Sequence, residues 1–205
     1  MLTETGFGYG RFSFSWGDHI CAIFESHEQQ MEVMVPFIAT GLRASQRCVW
    51  IAPPESAQGI RAALGEVGGD LRTLEGSGQL VVMADVDFYL REGVFEPERT
   101  IDLMLALFAE GRAQGYQATR ATTDVSWLGT RALRPEVWGE YEMRVSEEMV
   151  GRAAAWVCQY NARQLGGDIV VTALQTHPVV ILGDTIKQNP FYTVPGSERA
   201  PQAVH

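Results

Sequence analysis

His19 and Cys21, two positions apart, are the pair in this chain best suited by type and spacing to do chemistry. On a strand both side chains leave the same face, and an imidazole with a thiolate supplies two of the four ligands that zinc takes. The other two would have to come from His177, Cys158 or His27. Against this stands a plainer reading: a hydrogen-bonded strand histidine beside a cysteine packed as a small hydrophobe. That reading is adopted, so no metal or cofactor is expected, with His19 and Cys21 as the residues a metal would use.

Further candidates lie where strands should end, because ligands of open parallel sheets bind beyond the carboxyl ends. They fall in Phe24-Glu25-Ser26, Asp124-Val125-Ser126-Trp127, Gln159-Tyr160-Asn161 and the Thr176-His177-Pro178 corner. Asp124 either caps a turn or pairs with an arginine such as Arg120, or it accepts from a polar group of a ligand. Trp127 either fills core or walls a pocket. Glu140, Glu142, Glu147 and Glu148 read as a solvated helix face, with the alternative that Glu142, beside Tyr141, points into the crevice. His19 begins its strand, roughly 15 Å short of that crevice at about 3.3 Å per residue. No Gly-x-Ser-x-Gly elbow and no His-Glu-x-x-His occurs in the sequence, so no enzyme is expected.

The elements that must position these groups alternate. A strand over 19–24 runs into a helix over 26–44, opened by Ser26 and Gln29 as a capping box and kinked at Pro36, a candidate moving part. Where many α/β proteins carry a glycine-rich phosphate loop, the junction is Phe24-Glu25-Ser26-His27, with neither glycine nor lysine. Glu25 would repel a triphosphate. Strands are expected at 48–52, 79–84, 116–124 and 153–160, with helices at 55–67, from Pro97, from Pro135, and over 168–175. A hairpin of 179–182 and 185–187 closes the series. Strand–helix alternation of this kind means βαβ units: a three-layer, doubly wound α/β fold with a mostly parallel sheet and a C-terminal antiparallel hairpin. Residues 1–16 read as an extended arm, 17–195 as one domain, and 196–205 as a disordered tail.

Composition narrows the partners. A chain of 205 residues with net charge −9 lacks the basic face that nucleic acid or anionic membrane needs. Three cysteines without a CxxC spacing fit reduced thiols, and the start has no signal-peptide pattern, so a cytoplasmic protein is expected.

Several of these segments together resemble the MEDS family, the methanogen/methylotroph DcmR sensory domain. They are Gly17-Asp18-His19-Ile20-Cys21-x-x-Phe24, then Phe37-Ile38-x-x-Gly41-Leu42, Asp124-Val125-Ser126-Trp127, Tyr141-Glu142 and Cys158-Gln159-Tyr160. Thr176-His177-Pro178 and Asn189-Pro190-Phe191-Tyr192 complete the series, which spans about residues 17–195. The resemblance implies a RecA/KaiC-like fold without its phosphate loop and a sensory role in signalling, with a simple hydrocarbon derivative as ligand. It implies that His19 and Cys21 contact ligand or metal. Phe24 stands where a tyrosine is frequent, which removes a hydroxyl from the strand end. Members are often fused to an output domain, and none is read in this chain, so the resemblance implies a partner signalling or transcription-regulatory protein.

The expected function is therefore a non-catalytic sensory domain for a small, largely apolar ligand. Its binding residues are His19, Cys21, Phe24, Asp124, Trp127, Glu142, Tyr160 and His177, with Met34 adding apolar contact. The alternatives are a degenerate nucleotide-binding protein and a ligand-free interaction module, in either case with an oligomer open.

Overall fold

The computed structural model describes residues 4–131 and 133–194. The expected tail from 196 lies outside them. The chain opens with a small hairpin, β1 (Glu4–Gly6) and β2 (Ser13–Ser15), paired antiparallel. The segment expected as an extended arm is thus a folded cover, with Phe7 and Phe14 buried against Phe37.

β3 (His19–Phe24) then leads into α1 (His27–Arg43) and β4 (Arg47–Ala52). After α2 (Ala57–Gly68) and α3 (Leu71–Gly76) comes β5 (Leu80–Ala84). A short α4 (Asp85–Tyr89) and the hairpin β6 (Leu90–Arg91) and β7 (Val94–Phe95) precede α5 (Pro97–Ala113). β8 (Thr119–Asp124), α6 (Pro135–Met149), β9 (Ala154–Asn161) and α7 (Gly167–Thr176) follow. β10 (Val179–Leu182) and β11 (Thr185–Gln188) end the series.

Among the described residues seven strands form the central sheet in the order β11-β10-β3-β9-β8-β4-β5. All neighbours in it are parallel except β10 and β11, which make the expected terminal hairpin. The sheet is covered on both sides. α1, α2 and the β1–β2 hairpin seal one face around Ile20, Ala22, Phe24, Trp50 and Val157, and α4 to α7 seal the other around Cys21, Trp156, Cys158 and Tyr160. The strict alternation of β3 and β9 assigns their side chains to these faces.

The expected alternation is therefore present, with edges shifted by at most three residues. α3, α4 and the β6–β7 hairpin were not expected. Each is too short to show a period, and α3 is anchored by Asp70, whose side chain accepts from the Arg72 amide. α1 continues through Pro36 as one helix. Gly41 lets α1 approach the sheet, since a Cβ there would lie 2.6 Å from Cys48 Sγ and 2.8 Å from Arg120 Cδ.

Candidate functional site

Four side chains from four elements converge in the α6/α7 layer. His19 comes from the first residue of β3, Cys158 from β9, Glu142 from the inner stripe of α6, and His177 from the residue that ends α7. All are buried, at 0–1 % exposure. One ligating atom from each lies within 4.8 Å of the other three. His19 Nε2 is 3.2 Å from Glu142 Oε2 and 3.4 Å from Cys158 Sγ. His177 Nε2 is 3.5 Å from the same carboxylate oxygen. The two imidazoles lie with centroids 3.9 Å apart and planes inclined at 39°.

Local sequence explains each placement. Trp138, Glu142, Val145, Ser146 and Met149 share helical spacing, so Glu142 is carried inward by the same stripe that builds the core. His177 precedes Pro178 and adopts φ −111°, ψ 125°, which ends the helix and turns the chain into β10. Asn189 locks that corner by donating from Nδ2 to the carbonyls of His177 (2.8 Å) and Leu174 (2.6 Å).

An outer ring of hydrogen bonds orients the four. Ser146 Oγ donates to the Thr176 carbonyl at 2.7 Å, so it must accept from His19 Nδ1 at 2.8 Å. His177 Nδ1 donates to the Ala173 carbonyl at 2.9 Å. Both rings therefore carry their proton on Nδ1 and turn a bare Nε2 to the centre. Tyr160 donates to Glu142 Oε1 at 2.6 Å and accepts from Trp138 Nε1 at 3.2 Å. Glu142 Oε2 is left facing both Nε2 atoms, and His177 Nε2 has no hydrogen-bond partner.

Burial sets the charge states. It pulls both histidines down to about 3, the neighbouring His19 adding to the effect at His177. It pushes the Glu142 carboxyl up, opposed by His177 and by the Tyr160 hydrogen bond. The Cys158 thiol is pushed well up, by burial first and then by Glu142. The site is closed to solvent, neutral in its imidazoles and rich in lone pairs.

The remaining predicted residues are not brought into this cluster. Cys21 shares the His19 face but takes no place among the four converging atoms, while Phe24 and Met34 lie on the opposite face, packed solid at 1 % and 0 % exposure. His27 is on the surface, bonded to Gln30. Asp124 caps a turn, accepting from the Ser126 amide at 2.8 Å, and takes Gln30 Nε2 at 2.9 Å rather than Arg120. Arg120 instead spends its donors on the carbonyls of Gly6, Phe7 and Phe37 and on Gln46 Oε1.

Trp127 walls an open cleft of about 500 Å³ at the carboxyl ends of β4, β5 and β8, with Pro53, Pro54, Glu55, Asp85 and Thr130. A smaller cleft of about 260 Å³, lined by Val94 and Phe95, also touches Trp127. The Trp127 indole N–H has no partner. Burial, with Asp124 and Glu55 nearby, raises the Asp85 carboxyl. At the β3–α1 junction Ser26 accepts from the Gln29 amide (3.2 Å) and Gln29 Oε1 accepts from the Glu25 amide (2.9 Å). The expected capping box is present, its return bond falling one residue early. Two amides that an anion would use at this helix start are thereby taken.

Cys158 had been only one of several possible ligands, and Ser146 had no role. The heptad-like spacing of Glu142 and Ser146 with Trp138 and Met149 was the available signal.

The comparisons with known proteins agree with this architecture. A KaiC-like protein, PH0186, from Pyrococcus horikoshii OT3 superposes with a TM-score of 0.61 at 12 % identity, covering 88 % of this chain and 80 % of that one. This likeness establishes the fold. The transcriptional repressor DcmR of Methylorubrum extorquens is 27 % identical over 165 residues, 80 % of this chain. The chain spans 59 % of that relative's length. The model of the MEthanogen/methylotroph, DcmR Sensory domain matches residues 18–178, so the chain belongs to the MEDS family of sensory domains.

Proposed function

We propose that this chain is the sensory part of a regulatory system, taking a small, uncharged and largely apolar guest in the cleft beside Trp127 and passing occupancy to a transcription-regulatory partner. The observation that carries this reading is the open cleft of about 500 Å³ at the sheet's carboxyl ends. Such a position is where open α/β sheets bind ligands, and the volume suits a small molecule. Trp127, Pro53 and Pro54 offer apolar contact, while Ser126 and Thr130 offer polar handles. Glu55 and Asp85 on the rim disfavour phosphates and carboxylates. A nucleotide is disfavoured again by Glu25 and the occupied amides at the start of α1.

The guest must bind one of two conformations better than the other to be sensed at all. A relative named as a transcriptional repressor supports transcription as the output.

A thermal-shift panel of small alcohols, halocarbons and aromatics tests the proposal. A guest at 100 times its dissociation constant adds about 2.7 kcal/mol, which raises the melting temperature of a domain this size by about 5–10 °C. Trp127→Ala should abolish the shift. A panel in which nothing moves the transition, or calorimetric binding of ATP, overturns it.

A further inference from the structure

We propose that His19, Glu142, Cys158 and His177 form a closed, four-coordinate site for a divalent cation of the zinc class. This centre shares no residue with the lining of the Trp127 cleft.

Geometry comes first. A tetrahedral cation about 2.0–2.1 Å from nitrogen or oxygen and about 2.3 Å from sulfur holds its ligands about 3.3–3.6 Å apart. The separations here are 3.2 Å for His19 Nε2 to Glu142 Oε2, 3.4 Å for His19 Nε2 to Cys158 Sγ, 3.5 Å for His177 Nε2 to Glu142 Oε2 and 3.9 Å for Cys158 Sγ to Glu142 Oε2. Two imidazoles, a thiol and a carboxyl are the donor set that zinc favours over the harder cations, which prefer oxygen alone.

The outer ring is the second observation. Ligating histidines donate their other N–H to a fixed acceptor, and ligating carboxylates are themselves hydrogen-bonded. Each condition is met: His19 on Ser146, His177 on the Ala173 carbonyl, Glu142 on Tyr160. These bonds force both bare Nε2 atoms toward one carboxylate oxygen, an arrangement of acceptors facing acceptors. His177 Nε2 is fully buried without a partner. Without a cation, protons must replace it: His19 can accept from the thiol at 3.4 Å or from a protonated carboxyl at 3.2 Å, and His177 can accept from that carboxyl. The last of these, at 3.5 Å, is too long for a good hydrogen bond.

Four protein ligands leave no open position, so the site is of the structural kind rather than the catalytic kind. It would clamp α6 and the α7–β10 corner onto the sheet's central pair, β3 and β9. Full burial means that the cation enters as the chain folds.

The test uses the full chain. Purified after growth in medium with trace metals and then desalted, it should carry about one zinc per chain by elemental analysis. Refolded with Co²⁺, it should show intense tetrahedral ligand-field bands and a thiolate-to-cobalt charge-transfer band. Cys158→Ser should lose that band and bind at least tenfold more weakly, while Cys21→Ser keeps both properties. Tyr160→Phe, which removes only an outer bond, should weaken binding about 10–100-fold and serves as the second variant if Cys158→Ser does not fold. Folded wild-type chain with less than a tenth of an equivalent of metal and no cobalt bands overturns the site. So does a charge-transfer band that survives Cys158→Ser but not Cys21→Ser.

Discussion

Each face of the central sheet buries a charged or titratable nucleus, Arg120 on one and His19 with its neighbours on the other, and the two are built on opposite principles. Against α1 the nucleus is Arg120, 1 % exposed, which brings its own cation. Its guanidinium meets four oxygens, the carbonyls of Gly6, Phe7 and Phe37 and the amide of Gln46, none of them a carboxylate, and lies over the rings of Phe14 and Phe37. Burial lowers it to about 10, still protonated at neutral pH. Against α6 and α7 the nucleus of His19, Glu142, Cys158 and His177 offers lone pairs and no side-chain cation. A buried charge is tolerated where dipoles surround it, and a buried set of acceptors is tolerated where something electropositive joins them. The first nucleus is complete in itself; the second is complete only with a guest ion or extra protons.

The largest effect is expected at Arg120. Arg120→Ala leaves four oxygens without their donor and unpins the β1–β2 hairpin, so urea denaturation should report a loss of about 3–5 kcal/mol. The metal content of any folded fraction should be unchanged.

Glu142→Gln sharpens the contrast through its sign. With zinc held at about 1,000 times its dissociation constant, the wild-type chain gains about 4 kcal/mol, and the variant should lose most of that gain in a melting experiment. In chelator the same substitution should be neutral or stabilising, because the new amide can donate to a bare Nε2. Equal destabilisation in both buffers would mean that no ion is involved.

Gly41→Ala presses a methyl onto Cys48 Sγ and Arg120 Cδ. Overpacking of this kind should cost about 1–3 kcal/mol in denaturant and act on the Arg120 side alone. Smallest is Ser26→Ala, which removes the cap of α1 and should cost about 1 kcal/mol. It should leave both nuclei intact, as judged by unchanged cobalt spectra.

The strand–helix rhythm, the parallel sheet and the missing phosphate loop were legible because they rest on local patterns. Alternation in Ile20, Ala22 and Phe24 against His19 and Cys21, the Ser26–Gln29 cap, and Pro97 and Pro135 at helix starts each act within a few residues. The candidate centre was legible only in part. His19 was singled out with Cys21 beside it, whereas the cysteine that meets its ring is Cys158, because two positions along a strand share a face but not a meeting point.

The sequence alone determined which residues face which side of the sheet, since period 2 in strands and 3.6 in helices are properties of the backbone. It could not determine that β3 lies beside β9, which brings Cys158 next to His19. Nor could it place α6 and the end of α7 so that Glu142 and His177 complete the group. Strand order and helix docking join residues more than 120 positions apart, and only the packed whole decides among the pairings that the local patterns allow.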